Sequence, residues 1–333
     1  MPNHETGLVT RSNALAQGMT DGELRAARRR RELVTVRPGV YMPATTHDGH
    51  DPYSRHRLAA HAAAAVSDAV VSHVSAAVLH GLAVWSVPLA KVHMTVDRRS
   101  GGKGSTHRVL HAARLPSEDV VVLDSVRTTS VARTVLDLAH TVPFEQAVVT
   151  CDDALARALV TVDDLTTAFA RRPGRRGAPA ARRVLAFADA RSESVGESRS
   201  RVLFHRHGFE LPELQASMHT TDGRFIARVD FLWRELGVVG EFDGFAKYSI
   251  QGKNSMRGGG EIEVLRREKL REDALRAHGW SVARWTWEHL EQPESVLTRV
   301  RYAATAAAAC RSPLVTAAPT IASALLPPGE RQR

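Results

Sequence analysis

Two short segments constrain this chain more than any other part of it. Residues 224–233 read RFIARVDFLW and residues 238–243 read VVGEFD. Both alternate over strand length, and Arg234–Gly237 between them suits a tight turn. With Glu235 and Leu236 as the central turn residues, Asp230 stands opposite Glu241 on one face of a hairpin. The Cβ atoms of such a pair lie ~5 Å apart. The other face collects Phe225, Val229, Phe231 and Trp233 with Val238 and Phe242 as a core surface, leaving Arg228, Asp230, Glu241 and Asp243 on the polar face. Like charges opposite one another in a hairpin cost stability. A hard divalent cation removes that cost, because it takes one or two carboxylates together with waters and phosphate oxygens. The competing arrangement neutralises the acids with arginines, Arg228 opposite Asp243 and Arg224 nearby.

The flanks fit an α/β core around that hairpin. Ser192–Arg206 reads as a helix with Glu193, Glu197 and Arg201 at i, i+4 and i+8. Glu197 either reaches the metal from that helix or joins an intrahelical ladder worth ~0.3–0.5 kcal/mol per pair. Glu263–His278 reads as an amphipathic helix with Leu265, Leu270 and Leu275 inward, and Gly279 ends it before a strand at Trp280–Trp287. The chain uses 40 Arg but 5 Lys, yet Lys247, Lys253 and Lys269 fall within 23 residues. Lysine supplies a compact point charge for a scissile phosphate or an attacking water. Lys247 follows the acidic strand where the chain turns back. Trp285 is the aromatic candidate for base stacking, although a strand tryptophan is more often core.

The start of the chain predicts a small winged helix. Thr10 caps a helix over Arg11–Gln17 with Leu15 buried, and Gly18-Met19 turns. Thr20 caps the next helix, Asp21–Arg31, with Glu23 completing a capping box. Leu24 and Ala27 face inward, and Arg25, Arg28 and Arg29 face outward with Arg30 beyond. Leu33–Arg37 and Val40–Pro43, joined at Pro38-Gly39, form the wing. The second helix of such a motif enters the major groove, where arginines meet phosphates and guanine edges. Arg25, Arg28, Arg29 and Arg30 are therefore the candidate nucleic-acid contacts. The competing reading is a solvated basic helix.

The middle offers less chemistry. Strands are expected at Val92–Val96 and Val120–Leu123. Helices are expected after Ser130 through Ala139, with Val131, Val135 and Leu138 on one face, over Phe144–Leu159, and over Asp163–Phe169 after a Thr161 cap. Asp152-Asp153 reads as a solvated helix face. His73, His80, His93, His107 and His111 lack the i, i+4 spacing with a carboxylate that a zinc helix needs, so ordinary surface or core histidines are expected. A net charge of +9 fits nucleic-acid binding and equally a plain arginine-rich surface. No run of ~18 apolar residues predicts a membrane span. Two cysteines cannot build a disulfide framework or a zinc knuckle. With no charged-then-apolar leader pattern at the start, a cytoplasmic location is expected.

ESVGESRSR, VDFLW, GEFDGFAKY and REKLREDALRAHGWSVARWTW, in that order over about 192–290, resemble the Vsr-like branch of the PD-(D/E)XK endonuclease superfamily. Residues 5–44 resemble the winged-helix domain of AbiEi-family antitoxins, transcriptional repressors of type IV toxin–antitoxin systems. Residues 70–170, with SVRTTSVARTVLDLA, resemble the linking domain of the same composite proteins. The resemblance implies a multi-domain α/β protein: a winged helix-turn-helix at 1–44, an α+β domain at 45–175, a restriction-endonuclease-like α/β core at 176–295, and a flexible tail at 311–333. It implies a phosphodiesterase dependent on Mg²⁺ or Mn²⁺, with Asp230 and Glu241 as metal carboxylates and Glu197 as the helical acid; either Lys247 supplies the catalytic positive charge from the next turn, or the site is altered. Glu268, Lys269 and Arg271 match as further site or phosphate contacts. The superfamily's lysine two residues after the second acid is Asp243 here. The implied partners are DNA and a cognate toxin, with room for a homodimer and no membrane. The alternative is a non-catalytic repressor that keeps a degenerate nuclease fold as an interaction module.

Overall fold

Hydroxyl caps set many of the helix starts in this chain. The structure, a computed structural model, describes residues 7–47, 49–98, 101–172, 174–220, 222–244 and 260–311. β1 (Val9–Thr10) leads into α1 (Arg11–Ala16), where the Thr10 hydroxyl accepts the Asn13 N–H at 3.1 Å. α2 (Asp21–Arg29) begins with the expected reciprocal cap between Thr20 and Glu23. Two expectations shift slightly. α1 buries Ala14, against Leu24 and Tyr41, and leaves Leu15 half-buried. α2 stops before Arg31, whose left-handed backbone (φ 59°) cannot continue a helix. β2 (Leu33–Arg37) and β3 (Val40–Pro43) pair antiparallel around Gly39, and β1 adds on the far edge of β3.

After the short α3 (Ala44–His47), α4 (Pro52–Ala64) is shared by two cores. Leu58 and Ala62 pack on Leu8, Val40 and Met42 of the first unit, and Ala60 and Ala63 pack on the next. That next unit is a mixed sheet. Its elements are β4 (Val70–Val71), α5 (His73–Leu79), β5 (Val92–Asp97), β6 (Lys103–Gly104), β7 (Arg108–Ala113), β8 (Val120–Leu123) and β9 (Val126–Thr129). The strand order is β6-β7-β5-β4-β9-β8. Helices α6 (Val131–Thr141), α7 (Phe144–Ala156), α8 (Val162–Ala170) and α9 (Ala178–Phe187) follow. Val135 and Leu138 of α6 are buried as expected, with Val148 and Cys151 of α7 and Ala181 and Val184 of α9 in the same cluster. The 175/176 boundary thus precedes a helix that still packs on the middle unit.

The last unit comprises α10 (Val195–Arg206), β10 (Glu213–His219), β11 (Phe225–Trp233), β12 (Val238–Asp243), α11 (Gly260–Ala277), β13 (Ser281–Thr286), α12 (Trp287–Leu290) and α13 (Pro293–Arg311). The sheet order is β10-β11-β12-β13, with β12 and β13 parallel and the other pairs antiparallel. The hairpin register is the expected one: Trp233 pairs with Val238, Leu232 with Val239 and Phe231 with Gly240.

Both faces of this sheet are covered, which the simple apolar/polar division does not anticipate. On one, Phe231, Trp233, Val238 and Trp285 pack with Phe204 of α10 and Val296, Leu297 and Val300 of α13. On the other, Val229, Leu232 and Val239 pack with Leu275 of α11. Phe225, expected in the core, sits at the strand start and is 58% exposed. Leu270 is 59% exposed while Leu275 is buried, because residues five apart are rotated by roughly 140° on a helix. The side chain of Leu265 lies outside the described residues, as do 312–333 of the expected tail, whereas Arg311 ends α13. Among the described residues no helix is long and apolar enough to cross a membrane.

Gly240 is where the two strands meet the aromatic core: a Cβ there would sit 2.7 Å from the Trp285 ring and 2.9 Å from Trp233. Gly240→Ala should therefore cost about 1–3 kcal/mol by overpacking. Urea unfolding should show a lower midpoint at unchanged slope.

Candidate functional site

The acidic residues of the hairpin sit where its two strands cease to pair. Beyond Phe231 and Gly240, the Phe242 N–H donates to Asp230 Oδ2 at 2.9 Å. Asp230 is half-buried, and its carboxyl is pushed up to about 6. Burial is the main cause, and the negative charges of Glu197 and Glu241 add to it; the Phe242 N–H and Arg271 pull the other way. Glu197 and Glu241 thus lie near enough to act on the Asp230 charge.

Their oxygens are nonetheless occupied. Glu241, 8% exposed, accepts Arg271 Nη2 at 2.5 Å and Arg284 Nε at 2.8 Å. Glu197 closes the start of α10: its carboxylate accepts the Ser194 hydroxyl at 2.8 Å and the Glu193 N–H at 3.0 Å, and Gln215 Nε2 donates at 2.9 Å. The intrahelical ladder does not form, because Glu193 precedes the helix and pairs with Arg228, while Arg201 turns to Asp152. Arg228 also donates to Gln215. The donor set suits a hard cation by type, since all three acids offer oxygens. Such a cation would have to compete with Arg271 and Arg284 for Glu241. Lys247 and Lys253 lie outside the described residues; Glu268 and Lys269 are exposed on α11. Trp285 is fully buried and donates to the Ser200 hydroxyl at 2.8 Å, so it is core and no stacking platform.

Arg25, Arg28, Arg29 and Arg30 are all exposed. Arg25 Nε donates to the Asp21 carbonyl at 3.1 Å, and the Arg28 guanidinium lies 5.8 Å from the Tyr41 ring centre. Arg30 follows the helix and is held by Glu32 through two hydrogen bonds, at 2.7 and 3.0 Å.

Asp152 is not on a solvated face. It is 0% exposed and accepts from Arg201 at 2.7 Å, Ser198 at 2.8 Å and the Asp189 N–H at 2.9 Å. This ties α7 to α10. Asp153 accepts the Ala83 N–H at 2.9 Å and pairs with Arg157.

Sequence reasoning missed a second cluster. Among the described residues, the donor atoms that gather three together within 4.8 Å are those of His73, His93 and His111, and not the three carboxylates. His73 opens α5, His93 lies in β5 and His111 in β7. β5 and β7 are parallel neighbours with His93 beside Val109, so His111 falls two residues on along the same face. Only recognition of β7 as a strand would have exposed this. Close by, Arg114, Arg171, Arg172 and Arg175 line an open cleft of about 620 Å³.

Because Asp230 ionises harder in the fold than in the unfolded chain, its charge opposes folding. Its contribution is fully favourable below about 3.8 and is lost as pH rises through about 6. Asp230→Asn should flatten that dependence and raise stability at pH 7.5 relative to wild type. Denaturant titrations at pH 4.5 and 7.5 without added divalent cations measure it.

No family model matches the chain. Two uncharacterized proteins of Mycobacterium tuberculosis, one from strain CDC 1551 / Oshkosh and one from strain ATCC 25618 / H37Rv, are each 34% identical to it over 154 residues. The match takes in 46% of this chain and 52% of each relative, so the chain spans about half the length of the curated relatives it matches. A crystal structure of the RV2827C protein from Mycobacterium tuberculosis superposes with a TM-score of 0.38 at 16% identity, over 64% of this chain and 83% of that one. That likeness is too loose to assign fold or function.

Proposed function

We propose that the chain is a cytoplasmic DNA-binding protein whose last unit is a PD-(D/E)XK-like phosphodiesterase dependent on Mg²⁺ or Mn²⁺. The observation that carries this reading is the negative charge of Glu197 and Glu241 acting on the half-buried Asp230, whose carboxyl it helps to hold near 6. Like charges gathered without an ion are costly, and a divalent cation is the usual resolution. Asp230 and Glu241 would hold the ion, with Glu197 beside them. When bound, the ion polarises the phosphodiester and lowers the pKa of an adjacent water.

The chain's own residues then divide the remaining work. Gln215 and the Ser194 cap fix the Glu197 carboxylate. Arg271, now on Glu241, would transfer to a phosphate oxygen, which a guanidinium recognises well. Lys247 is proposed to orient the attacking water. At the other end, the capped α2 with Arg25, Arg28 and Arg29 outward, followed by the β2–β3 hairpin, supports a winged helix-turn-helix docked in a major groove. Arg30 contributes a phosphate contact once it leaves Glu32.

A second reading has its own observation. Arg271 and Arg284 together neutralise Glu241, and Asp243 replaces the superfamily's lysine. Both favour a repressor that binds DNA through its first unit and uses the last to hold a cognate toxin or a second copy.

Incubation with supercoiled plasmid and Mg²⁺ or Mn²⁺ separates the two. The phosphodiesterase reading expects nicking that EDTA abolishes and that Asp230→Asn and Glu241→Gln each reduce by at least about a hundredfold. DNA binding without cleavage by the wild type would reject it in favour of the repressor. In either case Arg28→Ala/Arg29→Ala should weaken DNA binding and lower the salt slope by about one unit for each phosphate no longer neutralised.

A further inference from the structure

We propose that His73, His93 and His111 form a binding site for a borderline-soft divalent transition metal, of which Zn²⁺ is the type, in the middle unit and separate from the acidic site. The donor atoms of all three lie within 4.8 Å of one another. His93 Nδ1 and His111 Nε2 are 3.1 Å apart. Two nitrogens bound to one tetrahedral ion at ~2.0–2.1 Å stand roughly 3.3 Å apart, so this pair already has nearly the required spacing.

His73 supplies the independent observation. Its side chain is 2% exposed, and its Nε2 has no hydrogen-bond partner. A buried polar atom left unpaired costs about 1–3 kcal/mol, which a coordinate bond would relieve. Its other nitrogen, Nδ1, lies 3.0 Å from the Ser72 hydroxyl and 3.8 Å from the Asp137 carboxylate. The Ser72 hydroxyl is the kind of partner that orients a metal-bound imidazole, while the Asp137 carboxylate is held by Arg133 and Arg175. The backbone of His73 is held in the left-handed region at φ 54°, where a non-glycine residue is strained. The His73 ring is stacked nearly parallel on His111 at 3.7 Å between centroids, so one of the two rings has to turn for both in-plane lone pairs to meet on one ion.

The protonation states agree. Burial foremost pushes His73 down to about 3 and His93 to about 4, and it lowers His111 as well. Near neutrality all three are uncharged imidazoles, the form that binds metal. Nitrogen donors prefer Zn²⁺, Ni²⁺ or Cu²⁺ over Mg²⁺. Three protein ligands leave a fourth position for water or an anion. Ala112 and Ala113, next to His111, line the neighbouring cleft, whose Arg171 and Arg172 pair with Asp119 and whose Arg175 pairs with Asp137.

The test uses the full chain, stripped with EDTA and titrated with Co²⁺ and then Zn²⁺ in excess Mg²⁺. The expected result is one equivalent of Co²⁺ with a visible d–d band, no thiolate charge-transfer band, and displacement by Zn²⁺. His93→Gln and His111→Gln should each weaken binding by about a hundredfold or more, while Asp230→Asn leaves it unchanged. Zn²⁺ should raise the Tm of the wild type and of Asp230→Asn, and not that of the histidine variants. Melting of the metal-free variants near that of the metal-free wild type establishes that they fold. Absence of a stoichiometric site, or undiminished binding in both folded histidine variants, overturns the proposal; the cluster would then be a neutral hydrogen-bonded group that loosens only in acid.

Discussion

Asp152 and Arg201 are ionised groups held almost entirely out of water, and the placement of α10 depends on their pairing. Taking such charges from water costs several kcal/mol per ion, and the pair roughly breaks even only if each remaining lone pair and proton is satisfied. Here they are: Ser198 and the Asp189 N–H complete Asp152, and the Phe187 carbonyl accepts from Arg201. Nearby on the same helix, Arg199 bridges to Glu145 of α7 and lies 4.2 Å over the Trp85 ring, which stacks on Trp287. The helix that carries Glu197 is thus fastened to the middle unit by buried charges. Its first turn, with the Glu197 carboxylate, is aimed at the edge of the last sheet as a result.

The acidic site repeats this theme with a different balance. Glu241 has two guanidiniums, Glu197 has neutral donors, and Asp230 has one backbone N–H. Asp230, with a single backbone N–H on its carboxylate, holds its proton more tightly than a free aspartate, chiefly because it is held away from water. An incoming cation would meet an opening at Asp230 and competition at Glu241.

Much of the backbone was legible in the sequence. The β11–β12 register followed from four turn residues and alternation, and the β2–β3 hairpin followed from Pro38-Gly39. The caps at Thr10, Thr20, Ser130 and Thr161 each start a helix. What stayed hidden depends on long-range packing. β4 is two residues long, and β7 reads RVLHAA with every residue half-buried, so neither shows an alternating pattern. Without β7 the histidines look scattered. Asp152 looked solvated because its partner Arg201 lies 49 residues away. Arg271 and Arg284 likewise reach Glu241 from elements distant in the chain, and nothing local announces them.

The sharing of α4 between two cores has a geometric consequence. Leu58 and Ala62 grip the first unit while Ala60 and Ala63 grip the middle sheet, and His56 is pinned by the Ser75 hydroxyl and the Leu89 carbonyl. The arginine-bearing helix is consequently no swinging head on a tether; its azimuth about the middle unit is locked by helical phase. Because residues 58 and 62 alternate along the chain with 60 and 63, a residue added or removed within this stretch would turn part of each contact set by about 100° and break both grips together. Opposite faces of the same two turns thus decide which way the basic surface looks.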